Sequence, residues 1–128
     1  MNYYSIGEAA ARLGIPESTI RYYEKKGLLP RMERDEAGRR IFSEDYLAFL
    51  KIILYLKNTQ MPISQIRQYV DWMAEGERTT ALRLAMFQEH KQAVLAQIAL
   101  MTESLQGIDK KIERYTEYLE LNGKEVIP

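Results

Sequence analysis

Cysteine is absent from the 128 residues, and His90 is the only histidine. Composition therefore excludes disulfides, thiolate-bound zinc, iron–sulfur clusters and thiol redox sensing. A lone imidazole is also a poor start for a metal or acid–base site. Long apolar runs are missing too: nothing approaches the roughly 18 uninterrupted apolar residues of a membrane span, so no membrane partner is expected. The opening MNYYSIGEAAARLG lacks the basic start and apolar core of a secretory leader, which points to the cytoplasm. The sequence shows no glycine-rich phosphate loop, no nucleophile beside a base and no carboxylate pair in an apolar setting; Glu17, Glu24 and Glu44 fall at helix-surface or capping positions. Neither an enzyme nor a cofactor is expected.

A net charge is lacking as well, with 18 Lys and Arg against 18 Asp and Glu, but that average hides an asymmetry. Residues 1–70 carry 11 basic and 8 acidic side chains, and residues 71–128 carry 7 and 10. Seven bases fall between Arg21 and Arg40 alone, so a surface for a polyanion can sit at the N-terminal end of a neutral chain.

The local patterns are helical with one interruption. Ser5 and Glu8 have the spacing of a capping box, and Ile6, Ala9, Ala10 and Leu13 form one apolar stripe behind it. Gly14 ends this first helix, and Pro16 suits the first turn of a second that runs to about Lys26 and stops at Gly27. Two short helices joined by a glycine-containing turn make a helix-turn-helix. Leu29 to Phe42 predicts a short β-hairpin with Gly38 in its turn. Ser43 then caps a third helix with a stripe of Tyr46, Leu50, Ile53, Leu54 and the stem of Lys57. Asn58 and Thr59 break it, Pro62 opens a fourth helix with Ile63, Ile66, Val70 and Met73 on one side, and Gly76 closes that one.

From Thr80 the pattern changes. Leu84, Phe87, Lys91, Val94, Ile98, Met101, Leu105, Ile108, Ile112, Tyr115 and Leu119 recur at alternating steps of three and four, and ten of these eleven positions are apolar. This is a coiled-coil seam. Residues 80–121 predict a rod of about 63 Å, which has no core of its own and needs a second copy to bury its stripe. The division expected is 1–76 for the winged module, 77–79 for a linker, 80–121 for the dimerisation helix and 122–128 for a tail. Lys91 is either a snorkelling side chain or a register device. Gly107 weakens its turn by about 1 kcal/mol relative to alanine.

The segments Tyr4-Ser5-Ile6-Gly7-Glu8-Ala9-Ala10 and Thr19-Ile20-Arg21-Tyr22-Tyr23-Glu24-Lys25-Lys26-Gly27-Leu28-Leu29-Pro30 closely resemble the MerR family of bacterial transcription regulators. The resemblance covers nearly the whole chain. It implies a mainly α fold, a winged helix-turn-helix with a short β-hairpin wing, a second helix pair, and a long C-terminal helix that dimerises as an antiparallel coiled coil. It further implies binding as a homodimer to an inverted repeat in double-stranded promoter DNA, distortion of that DNA, and RNA polymerase as a partner.

Residue chemistry supports the assignment. Arg21, on the second helix, can pair bidentately with guanine in the major groove. Ser18 and Thr19 are short enough to meet phosphates or base edges at the helix start. Tyr22 and Tyr23 carry hydroxyls for phosphates. Helical geometry sends Ile20 and one of these two rings to the core, while the resemblance assigns Tyr23 the phosphate contact. On the returning strand the family usually has Gly-Tyr-Arg-x-Tyr, where this chain has Gly38-Arg39-Arg40-Ile41-Phe42. Arg40 matches, Arg39 keeps a donor in place of tyrosine, and Phe42 loses a hydroxyl and is expected in the core. Thr59-Gln60 stands where a glycine-containing turn is usual.

An effector is not identified by these residues. Metal-sensing relatives use cysteines, aldehyde-sensing ones a cysteine in the third helix, where this chain has Ile52, Ile53 and Leu54. Larger relatives carry a drug-binding domain after the coiled coil, where only Asn122 to Pro128 follow here. Tyr69, Trp72, Met73, Met86 and Phe87 are candidates to line a small-molecule site, or are simply core. Two other functional classes fit the patterns: a coiled-coil adaptor for protein contacts, and a nonspecific architectural DNA-binding protein. Salt dependence separates the first from a DNA-binding regulator, and preference for one operator separates the second.

Overall fold

Ser5 has extended backbone and accepts from the Glu8 N–H while the Glu8 carboxylate accepts from the Ser5 N–H, so the capping box forms and starts α1, Ile6–Leu13. Gly14 ends it in the left-handed conformation at φ 68°, where a side chain is strained. Pro16 precedes α2, Glu17–Lys25, and Gly27 at φ 73° turns the chain away. The computed structural model describes residues 2–123, so residues 124–128 of the expected tail lie outside the described residues.

The hairpin forms from β2, Glu33–Arg34, and β3, Arg40–Ser43, paired antiparallel with Glu33 opposite Ile41 and Arg34 opposite Arg40. Gly38 takes φ 81° in its turn, and Asp35 gathers that turn by accepting from the N–H groups of Ala37 and Arg39. A third strand was not expected. Tyr3–Tyr4, β1, pairs with the other edge of β3, giving the order β1-β3-β2. Two residues carry no readable period, and their pairing partner lies some 40 positions away, so no local pattern marks this strand.

Helix α3, Glu44–Asn58, starts at Ser43, whose hydroxyl accepts from the Tyr46 N–H. It buries Leu47, Leu50, Ile53, Leu54 and Leu56, so the stripe is wider than Tyr46, Leu50, Ile53 and Leu54. Tyr46 is half-buried, meets Phe42 edge-on and donates its hydroxyl to the Pro30 carbonyl at 2.7 Å. Gln60 takes the left-handed position at φ 69° that glycine usually fills, at a cost of about 1 kcal/mol. Helix α4, Ile63–Glu75, then buries Ile66, Tyr69 and Val70; Met73 is about one-third exposed and Ile63 half-buried. Phe49 and Tyr69 stack between α3 and α4 with centroids 5.8 Å apart.

Gly76 and a single 3-10 turn, Glu77–Thr79, lead into α5, Thr80–Asn122, a helix of 43 residues. The chain divides into two compact units between Met86 and Phe87, so the first turns of α5 pack with the winged module. Fully buried Phe42, Ile20, Leu28, Leu50, Ile53 and Ile66 centre the core of the first unit. Along α5 no residue is buried: Ile98, Leu105, Ile108 and Ile112 are each more than half exposed, and Met101 is 74% exposed. Among the described residues no helix is long and apolar enough to cross a membrane.

Ser5→Ala removes one side of the capping box while leaving the core intact. Urea denaturation is expected to show a loss of about 1 kcal/mol with an unchanged m-value; no loss would mean α1 is held by packing alone.

Candidate nucleic-acid interface

Helix α2 presents two faces set by its period. Ile20 is fully buried and Tyr23 is 7% exposed, while Ser18, Arg21, Tyr22 and Lys25 lie on the opposite, exposed side. Which tyrosine enters the core is thereby decided. Tyr23 does, tilted against Tyr22 at 6.1 Å, and burial raises the pKa of its phenol above the ordinary value. Tyr22 is 45% exposed, with the Lys26 ammonium 5.7 Å from its ring centre.

Arg21 reaches back to Glu17, one turn earlier, at 3.2 Å. Both side chains are about half exposed, and such a surface pair is worth at most about 1 kcal/mol, so a guanine edge can displace it. The wing flanks the Glu24 side of α2. Arg40 Nε donates to Glu24 at 2.9 Å, and Arg34 stands 3.7 Å from the other oxygen of the same carboxylate. Glu24 thus ties the wing to α2 and cancels part of its charge. Arg40 commits only Nε in this way; among the described residues its terminal amino groups have no hydrogen-bond partner and remain for a phosphate. Arg39 stands at the wing turn, 80% exposed and paired with Asp35 at 3.1 Å. Phe42 is in the core, as its missing hydroxyl implied.

The other flank of α2 was not anticipated. Thr19 and Tyr23 border a groove of about 460 Å³ whose far wall is Lys51, Tyr55 and Asn58, three exposed residues of α3. Their spacing of four and three puts them on one helical face. No motif marks them in the sequence, because only packing brings that face beside α2.

A family model for MerR HTH regulatory proteins matches residues 4–71, and one for the MerR DNA-binding region matches residues 47–115. The chain belongs to the MerR family. An HTH-type transcriptional regulator of Haemophilus influenzae, described as uncharacterized, is 32% identical over 97% of this chain and 92% of its own length. The structure of HiNmlR, described as a MerR family regulator lacking the sensor domain and bound to promoter DNA, superposes with a TM-score of 0.85 at 32% identity, covering 95% of this chain and 96% of that one. A MerR family regulator from Bacillus thuringiensis gives a TM-score of 0.84 at 43% identity, covering 89% of this chain and all of the other.

This MerR-family chain is accordingly a DNA-binding transcriptional regulator with a winged helix-turn-helix. Of the candidate effector-lining residues, Tyr69 is buried and stacked on Phe49, so its ring belongs to the α3–α4 packing. Trp72 and Met86 are half-buried, Met73 is 36% exposed, and Phe87 falls in the second unit.

Arg12, at the groove margin, is anchored from behind. Its guanidinium lies 4.3 Å from the Tyr4 ring centre and donates to Glu44 at 3.0 Å, and the Tyr4 hydroxyl donates to the same carboxylate. These hydrogen bonds, from Tyr4 first and Arg12 next, hold the Glu44 pKa below its usual value. A lowered carboxylate pKa stabilises the fold above the unfolded-state value, and that contribution disappears as pH falls through the folded-state value. Glu44→Gln is therefore expected to lower Tm at pH 7 but to converge on the wild type toward pH 3. A constant Tm difference across that range would show that the cluster does not depend on the charge.

Proposed function

We propose that this regulator binds an inverted repeat in double-stranded promoter DNA as a homodimer, with one α2 in the major groove of each half-site, and distorts the DNA between them to control transcription initiation with RNA polymerase as its partner. The observation that carries this reading is the division of α2: Ile20 and Tyr23 are buried, and Ser18, Arg21 and Tyr22 are left outside beside a basic wing. HiNmlR, described as bound to promoter DNA, supports the same reading. Arg21 reads base edges. Ser18, Thr19, Tyr22, Arg39 and Arg40 hold phosphates, and Tyr23 contributes its hydroxyl from the wall of the groove. Lys51, Tyr55 and Asn58 extend the phosphate strip on the side away from the wing. The protein works in the cytoplasm, where its DNA is, and binds rather than catalyses.

Dimerisation runs through Leu84, Phe87, Val94, Ile98, Met101, Leu105, Ile108, Ile112, Tyr115 and Leu119. The exposure of eight of these ten side chains, with Phe87 and Val94 half-buried, is what supports it, because water-exposed apolar side chains at heptad spacing favour association by about 25 cal/mol per Å² buried.

Fluorescence anisotropy against duplexes tiled across the promoter beside its own gene tests the proposal. Arg21→Ala is expected to cost about 1–3 kcal/mol on the preferred repeat and to relax base preference. Arg40→Ala is expected to weaken cognate and random duplexes alike and to reduce the salt slope by about 1. Identical behaviour of the two variants would overturn this division of roles.

Ile98→Asp or Leu105→Asp places a charge in the seam. Light scattering is expected to find a monomer, with loss of inverted-repeat binding; a variant that stays dimeric would move the interface off this stripe.

A further inference from the structure

Helix α2 begins with an acid on the face that it turns outward. Glu17 is its first residue, one helical turn before Arg21 on the same side, and its Oε1 accepts from Arg21 at 3.2 Å. Glu24 and Asp35, the acids that hold the arginines of the wing, are more withdrawn, at 27% and 30% exposure. Both oxygens of each are engaged by wing residues. Glu17 is 46% exposed and engages one oxygen only. Its Oε2 has no hydrogen-bond partner among the described residues. Gly7, beside that oxygen, carries no side chain to cover it; a Cβ there would stand 3.7 Å away.

We infer that Glu17 is a second base-reading residue, whose carboxylate accepts from the amino group of a cytosine in the base pair adjoining the guanine of Arg21. The inference rests on the proposed insertion of α2 into the major groove. The first residues of a recognition helix are the ones brought to the base edges, and Glu17 leads α2 on the face of Arg21. A carboxylate there is repelled by every phosphate and has no proton to donate. Only the amino groups of cytosine and adenine offer it a donor in that groove, and adenine sets the N7 acceptor beside its own, so cytosine is the match. Four residues span about 6 Å of helix axis, so the two side chains address neighbouring pairs rather than one. When guanine displaces the weak surface pair, Arg21 and Glu17 are released together, and one contact in the free protein becomes two on DNA.

The test uses the full-length chain, as wild type, Arg21→Ala, Glu17→Gln and Glu17→Ala, each selecting its preferred sites from a randomised duplex pool. Anisotropy on the wild-type site and its single-base variants then gives relative affinities. The wild type is expected to select a repeat with a cytosine beside the guanine that Arg21→Ala no longer selects. Glu17→Gln is expected to switch that cytosine to adenine, whose N6 and N7 suit an amide, by about tenfold in relative affinity. Glu17→Ala is expected to lose the choice at that position and keep the guanine. Cytosine preference retained by both Glu17 variants overturns the inference. A loss confined to the guanine overturns it as well, since Glu17 would then only restrain Arg21. So does uniformly tighter binding with unchanged preference, the mark of a repelling charge alone. A wild type that selects a repeat without the cytosine overturns this inference and leaves the proposed function standing; one that selects no repeat overturns both.

Discussion

Helix α2 is nine residues long and has to bury one face while leaving the opposite one bare. Everything useful about the first unit depends on that constraint. Ile20 and Tyr23 anchor the inner face, and the 3.6-residue period then leaves Ser18, Arg21 and Tyr22 outside whether or not DNA is near. Neighbouring elements serve this arrangement. The wing is tied to one edge of α2 through Glu24, and Arg67 of α4 donates to the Lys26 carbonyl at 2.7 Å, satisfying the helix end. The α3 face of Lys51, Tyr55 and Asn58 stands along the other edge.

Electrostatics in the free protein is arranged as a set of replaceable pairs. Arg21 rests on Glu17, Arg39 on Asp35, and Arg40 and Arg34 share Glu24. Exposed pairs of this kind are weak and salt-screened, so they restrain side chains without competing strongly with a phosphate. Arg40 differs because it is only 24% exposed and Glu24 only 27%, which makes that pair part of the wing's attachment. An overall charge of zero is compatible with DNA binding for this reason: the acids that balance these arginines sit beside them, and ten of the 18 acids fall in residues 71–128.

The two parts of α5 contrast. Its opening turns are tied to the end of α4 through Thr79 and Arg83, whereas the later turns show an apolar stripe that is largely exposed from Ile98 to Leu119. A helix of that length without a buried residue is not held by its own unit. Association with a second copy along this stripe is the proposed source of the missing core.

Local chemistry makes much of this fold legible in the sequence. Capping residues, glycine stops and apolar periods act over a few positions, so the boundaries of α1, the turn at Gly38, the Ser43 cap, the outer face of α2 and the long helix from Thr80 follow from sequence alone. Tertiary structure decided the features that need partners far apart in the chain. Tyr4 meets Glu44 across 40 positions, Arg67 reaches Lys26 across 41, and Glu24 meets Arg40 across 16. The strand at Tyr3–Tyr4, the choice of Tyr23 over Tyr22 for the core and the α3 wall of the groove are of the same kind. A periodic pattern says which way a side chain points from its own helix, and only packing says what it meets there.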